Sequence, residues 1–190
     1  MTTLVVHTET DPAKESLRTD DPADIKATLA RAGVRLERWK ANVELDAAAD
    51  NDAVLEAYAR DVERLAAEGY DTVDVVRLHA NNDDPEMLEK AAQARAKFRD
   101  EHTHDDDEVR FFVEGSGTFY LRVDGKVMMV ACESGDLIAV PKGVRHWFDM
   151  GSSPYFAAIR FFKVAEGWVG NFTGDDIATR FPSHDAIVSA

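Results

Sequence analysis

The sequence predicts a mainly β protein: a small antiparallel barrel or double sheet, with several α-helices packed on it, mostly from the first half of the chain. Three observations carry this. After Asp100, short runs rich in β-branched and aromatic residues follow one another closely as far as Phe162. Asp124-Gly125 sits between two of these runs, and that dipeptide is a strong hairpin signal. Before Asp100, apolar residues recur at three- and four-residue intervals between helix start and stop residues.

Taken in order, Leu4 to His7 reads as an edge strand. Asp21-Pro22 is an N-cap followed by proline at the first helical position, with Ile25, Leu29 and Ala32 as the buried stripe and Gly33 as the stop. Val34 to Ala41 is extended, with Val34, Leu36 and Arg38 on one side and Arg35, Glu37 and Trp39 on the other. A second helix spans about Asp52 to Glu68, its stripe made by Val54, Leu55, Tyr58, Val62 and Leu65. Val73 to Leu78 is a strand, Asn81 to Asp84 a turn, and Pro85 to Phe98 a third helix whose mixed charges read as a solvated face. Val109 to Val113 is a strand that Gly115-Ser116-Gly117 closes as a turn would. Thr118 to Val123 and Lys126 to Val130 form the hairpin, and Leu137 to Val140, His146 to Met150 and Phe156 to Phe162 complete the strands. The tail carries Trp168, Phe172 and Phe181; it is apolar enough to pack but too irregular to assign. With no internal repeat or linker, the 190 residues read as one domain: a helix-rich 1–100 packing on a barrel of 101–165, then a tail of 166–190.

Acidic residues outnumber basic ones 36 to 22, a net charge of -14. Such a surface repels phosphate backbones and anionic headgroups, which argues against nucleic acid and membranes as partners. The lone cysteine, Cys132, excludes an internal disulfide and suits a reducing compartment; with no histidine near it in sequence, it reads as a small core residue rather than a nucleophile. The apolar run at the N-terminus is too short for a signal peptide, and no stretch reaches the roughly 18 apolar residues of a membrane span, so the expected location is cytoplasmic.

The chemistry concentrates in two stretches. His102 and His104 stand two apart, so on an extended backbone both imidazoles project from one face; Glu108, four further on, returns a carboxylate to that face. The second stretch runs from Leu137 through Pro141-x-Gly143 to His146, a turn able to bring a fourth donor back against the first strand. Three neutral imidazoles and one carboxylate suit a borderline divalent ion such as Fe, Ni, Co or Mn, leaving two adjacent coordination positions free. Without a thiolate, a structural zinc centre is disfavoured. Asp105-Asp106-Asp107 lacks the spacing of a calcium loop, and His7, His79 and His184 have no partner pattern and read as non-ligands.

His102-x-His104-x-x-x-Glu108 with Gly115, and Gly135 with Pro141-x-Gly143-x-x-His146, resemble the two cupin motifs, with Ala96 and Met150 standing where glycine and asparagine are usual. Val34–Trp39, Glu101–His104 with Asp107–Gly115, His146–Gly151, Ala158–Arg160, and Glu166–Trp168 with Phe172–Ala178 are similar, block by block, to acireductone dioxygenases. The resemblance implies a cupin double-stranded β-helix, a jelly-roll barrel. It also implies a monomer that binds one Fe(2+) or Ni(2+) and consumes O2 in methionine salvage. The expected substrate is a methylthio acireductone, cleaved to formate and the keto acid precursor of methionine with iron, or to methylthiopropionate, formate and carbon monoxide with nickel. Arg110, two residues beyond Glu108, is then expected to stabilise the ionised substrate, with a buried salt bridge as its other reading. The resemblance implies that Glu101 serves metal incorporation and Asp107 relays conformational change, and as carboxylates beside the ligands both are placed to orient imidazole N–H groups; each equally reads as a solvated acid. Phe98, Phe148, Arg160 and Trp168 match positions lining or closing the family's pocket, though core packing serves Trp168 as well. The competing readings are another metal-cupin dioxygenase or isomerase, and a non-catalytic small-ligand-binding cupin.

Overall fold

The structure, a computed structural model, describes residues 1–46, 49–80 and 85–190. Two sheets share one long strand. β6 (Glu108–Val123) runs through both. Its first half pairs with β8 (Asp136–Val140) and β10 (Tyr155–Phe162), and the sheet extends to β3 (Arg35–Arg38) beyond β8 and to β4 (Thr72–His79) beyond β10. Its second half pairs with β7 (Lys126–Glu133) and β9 (Arg145–Asp149). That sheet continues past β7 to β1 (Thr3–Thr8) and β2 (Asp11–Thr19), and past β9 to β5 (His102–Thr103) and β11 (Asn171–Phe172). Phe112, Ile138 and Phe156 of the first sheet meet Leu4, Phe119, Leu121 and Phe148 of the second in a common core. This is the cupin jelly roll.

Helices cover it as expected. α1 (Pro22–Arg31) starts at the Asp21 cap, whose carboxylate accepts from the N–H groups of Ala23 and Asp24, and buries Ile25 and Leu29 against the inter-sheet core. α4 (Pro85–Arg99) lies against β9. The helix expected over 52–68 is instead two, α2 (Asn51–Ala57) and α3 (Ala59–Ala66), broken at Tyr58 with φ -114° and ψ 25°. The break lets the Tyr58 ring sit edge-on to Phe111, centroids 5.4 Å apart, inside a second core with Val54 and Leu65.

Three other expectations change. β1 is not an edge strand: it lies between β7 and β2, and the charge-rich β2, mostly exposed, takes the edge. Gly115-Ser116-Gly117 does not end a strand; β6 runs on while passing between sheets, with a register shift opposite Ala157/Ala158. Gly115 (φ 65°) makes that bend possible, and a Cβ there would collide with the Tyr155 carbonyl. The tail is ordered as β11, a 3-10 turn (Ile177–Arg180) and α5 (His184–Val188), burying Ile177, Phe181 and Ile187 beside Trp147. The turn expected at 81–84 lies outside the described residues.

Candidate metal centre

β5 and β9 pair with His102 directly opposite His146, while Glu108 opens β6 opposite Val140. His104 differs from the sequence expectation. β5 ends at Thr103, so residues 104–107 form a loop rather than one strand reaching Glu108. Backbone contacts fix that loop. Gly143, at φ 78° in the Pro141 turn, donates its N–H to the His104 carbonyl at 3.1 Å. Asp106, read in the sequence only as part of an acidic run without calcium-loop spacing, accepts from the N–H groups of Asp107, Lys163 and Val164 at 2.6 to 3.0 Å.

The four groups converge. One donor atom from each of His102, His104, Glu108 and His146 lies within 4.8 Å of every other, and all four residues are buried. Each Nδ1 bonds a backbone carbonyl: His102 to Asp100 at 2.7 Å, His104 to Val169 at 2.8 Å and His146 to Val144 at 2.8 Å. A carbonyl only accepts, so each Nδ1 carries the proton and each Nε2 is left for another partner. Glu108 Oε2 stands 2.9 Å from Nε2 of His146 and 3.1 Å from Nε2 of His104. Two such nitrogens facing one carboxylate oxygen repel unless a cation or protons lie between them. The donor set therefore fits a divalent ion.

Burial alone would raise the Glu108 carboxyl, but the Arg110 charge and the two histidine contacts outweigh it and hold it well below the usual range. Burial, helped by the neighbouring His146, drives His102 down to about 4 and keeps it neutral. His104 is pushed down by burial but raised overall by its contact with Glu108.

His102, His104 and Glu108 line a cavity of about 360 Å³, walled also by Val76, Phe98, Arg110, Arg160, Phe162 and Trp168. Arg110 is 4% exposed; Nη2 lies 2.7 Å from Glu108 Oε1, and Nε is buried with no hydrogen-bond partner among the described residues. Its guanidinium rests over Phe148 at 4.6 Å and Phe98 at 5.7 Å, so Phe148 packs beneath Arg110 rather than in the cavity wall. Arg160 is bidentate to Asp74 at 2.6 and 2.8 Å. Trp168 is 50% exposed, which removes core packing as its role.

Glu101 and Asp107 do not reach an imidazole N–H, since all three are taken by carbonyls. Glu101, 1% exposed, instead faces Arg122 and Thr173. Asp107 accepts from Tyr70 OH, Lys142 N–H and Lys163 Nζ. Of the other histidines, His184 bonds Thr118 Oγ1, His79 meets Glu114, and His7 sits edge-on to Phe181. Sequence reasoning missed the segment 169–173: the Val169 carbonyl, Gly170 against the His102 ring, and Phe172 with its ring 5.6 Å from His102. Phe172 had entered only as an apolar tail residue and as the start of the Phe172–Ala178 resemblance; Gly170 is the other signal, since a Cβ there would press on the His102 ring at 3.4 Å.

A jelly roll whose strands and one connecting loop gather three histidines and a carboxylate beside a cavity defines a cupin of the metal-pocket type. The model of the ARD/ARD′ family matches residues 3–170. An acireductone dioxygenase of Parvibaculum lavamentivorans is 56% identical over 187 residues, covering 98% of both chains, and one of Pseudomonas aeruginosa is 52% identical over 183, covering 96% and 98%. Among solved structures, the acireductone dioxygenase of Bacillus anthracis with a cadmium ion in its active centre superposes with a TM-score of 0.75 at 30% identity, covering 90% of this chain and 98% of that one. The chain belongs to this family, the acireductone dioxygenases.

Proposed function

We propose that the chain holds one Fe(2+) or Ni(2+) through His102, His104, Glu108 and His146. There it cleaves a methylthio acireductone (1,2-dihydroxy-3-keto-5-methylthiopentene) with O2. With iron the products are formate and 4-methylthio-2-oxobutanoate; with nickel they are methylthiopropionate, formate and carbon monoxide. The observation that carries the reading is the cluster of three proton-fixed imidazoles and one carboxylate, of which His102, His104 and Glu108 open on a cavity beside a buried guanidinium. The bound ion supplies the adjacent positions an enediolate chelates and the electron transfer with O2.

The side chains do the rest. Arg110 presents positive charge where the enediol loses its protons, lowering the enol pKa and favouring the dianion. Phe98, Phe162 and Trp168 give the methylthio arm an apolar wall and exclude water, while Arg160, neutralised by Asp74, borders the same wall. Glu101 and Asp107 act through the backbone of the segments they tie rather than on an imidazole. The whole chain works as one cupin unit, a cytoplasmic monomer whose partners are the acireductone and O2. The test is O2 uptake on freshly generated acireductone, with product identification, for ion-free, iron-loaded and nickel-loaded protein. Iron-dependent uptake with formate release supports the reading. A protein that binds iron and leaves the oxidation rate unchanged overturns it.

A further inference from the structure

Arg122, on the second half of β6, gathers carboxylates from three separate segments. It meets Glu9 between β1 and β2 at 2.9 and 3.1 Å, Glu101 at 3.1 and 3.3 Å, and Asp175 of the tail at 2.9 Å. Glu101 directly precedes His102, and its oxygens also hold the tail, accepting from Thr173 Oγ1 at 2.8 Å and, through its carbonyl, from Thr173 N–H at 3.0 Å. The strap 169–173 leads into these anchors. Its Val169 carbonyl fixes the His104 tautomer, and its Phe172 pairs with His102 in β11–β5. That ladder spans only two residue pairs, too few to hold an otherwise exposed strand alone.

We infer that Arg122 is a positioning residue, clamping the strap through Glu101 and Asp175 onto the strand of His102 and thereby setting the orientation of His102 and His104. Partners one step removed from a metal ligand commonly change affinity by about 10–100-fold when lost. The inference rests on reading the histidine cluster as a divalent-ion site, and its test has one arm that needs no ion.

Cobalt(II) affinity, by competition with a chromophoric chelator, and chymotryptic cleavage after Trp168 and Phe172, both half exposed, are measured on the full chain. Asp175→Asn and Arg122→Met are expected to weaken cobalt binding about tenfold or more and to speed cleavage by about the same factor. Arg122→Lys, a point charge without the fork, is expected to recover part of both losses. Glu9→Gln, whose carboxylate ties Arg122 to the β1–β2 turn and not to the strap, is expected to stay near wild type. Asp175→Asn with wild-type affinity and wild-type cleavage overturns the proposal, as does Glu9→Gln matching it. Should Arg122→Met fail to fold, Asp175→Asn, at the exposed end of the clamp, decides alone. A wild-type chain that bound no cobalt would refute the metal reading, while cleavage of the ion-free variants would still judge the clamp.

Discussion

Replacing Arg110 by Met removes a buried guanidinium that lies 2.7 Å from Glu108 Oε1 and over the Phe148 ring, but leaves an unbranched apolar side chain in its place. Methionine fills such gaps well, so lost charge rather than lost packing dominates. At about 4 Å and an effective dielectric of about 20, one unit charge is worth about 4 kcal/mol. Part of that acts already on the bound ground state; if about 3 kcal/mol is specific to the ionised, reacting form, kcat/KM falls roughly 100-fold. The ion-free protein responds separately. Glu108 loses its counter-charge inside the core, which costs about 3–5 kcal/mol, or roughly 6–20 °C of Tm for a chain of this size. A divalent ion takes over that counter-charge, so the loaded variant should regain most of the deficit. The assays are O2 uptake on freshly generated acireductone at measured iron content, and calorimetry with and without ion. A fully iron-loaded Arg110→Met enzyme within about threefold of wild-type kcat/KM would refute substrate stabilisation by Arg110.

Three further outcomes are expected. Asp149 is fully buried under a bidentate Arg95, with backbone N–H groups of His184 and Gly151 also donating to it; burial pushes its carboxyl up, but these partners outweigh burial and hold it below its ordinary value of 3.8. Its folded pKa being the lower one, its contribution is present above the unfolded value and fades as pH falls through the folded one. Asp149→Asn should cost about 3–5 kcal/mol at pH 7, with the gap to wild type narrowing below about pH 4 in denaturant titrations; a gap constant down to pH 2 would contradict this. Trp168→Ala should leave stability within about 1 kcal/mol yet raise KM about tenfold, since this half-exposed ring walls the cavity; a large Tm loss at unchanged KM would return it to the core. Gly117→Ala would drive a Cβ into the ring carbons of Phe148, beneath Arg110. Denaturant unfolding should show about 1–3 kcal/mol lost, and kcat/KM should drop at unchanged iron content; unaltered kinetics would mean that Phe148 does not support Arg110.

What the sequence made legible is what side-chain type and spacing encode. The Asp21-Pro22 helix start, the Asp124-Gly125 hairpin (φ 52° and 71°) and the convergence of His102, His104, Glu108 and His146 all follow from local pattern. The illegible parts are those that non-local packing decides. β2 has no apolar alternation because both its faces are largely exposed, and the Tyr58 break is set by Phe111, more than fifty residues away. His104 reached the site by a loop held from Gly143 and Asp106, not by strand alternation; the expected position was right and the expected route was not. The partners of the imidazoles could not be read at all, because every residue type carries a carbonyl.

The charges around the site explain how so acidic a chain can take an anion. Glu108 and Arg110 cancel in contact, and Arg160 and Asp74 cancel across the cavity wall. The three imidazoles, their Nδ1 protons committed to backbone carbonyls, present Nε2 atoms suited to hold an ion as neutral ligands. With the Glu108 and Arg110 charges offsetting each other, a divalent ion would leave the site with two positive charges in excess, and a doubly ionised enediol supplies the matching two negatives. In a buried, weakly screened pocket that match outweighs the distant surface charge of a chain at -14, because exposed charges beyond about 10 Å are largely screened at ordinary salt. The same reasoning requires that a monoanionic analogue of equal shape leave one charge uncompensated and bind less tightly to the loaded protein, while the ion-free protein scarcely distinguishes the two. Equal affinities for both analogues in the loaded protein would mean that the pocket selects by shape, and that the Glu108–Arg110 pair does not set its charge.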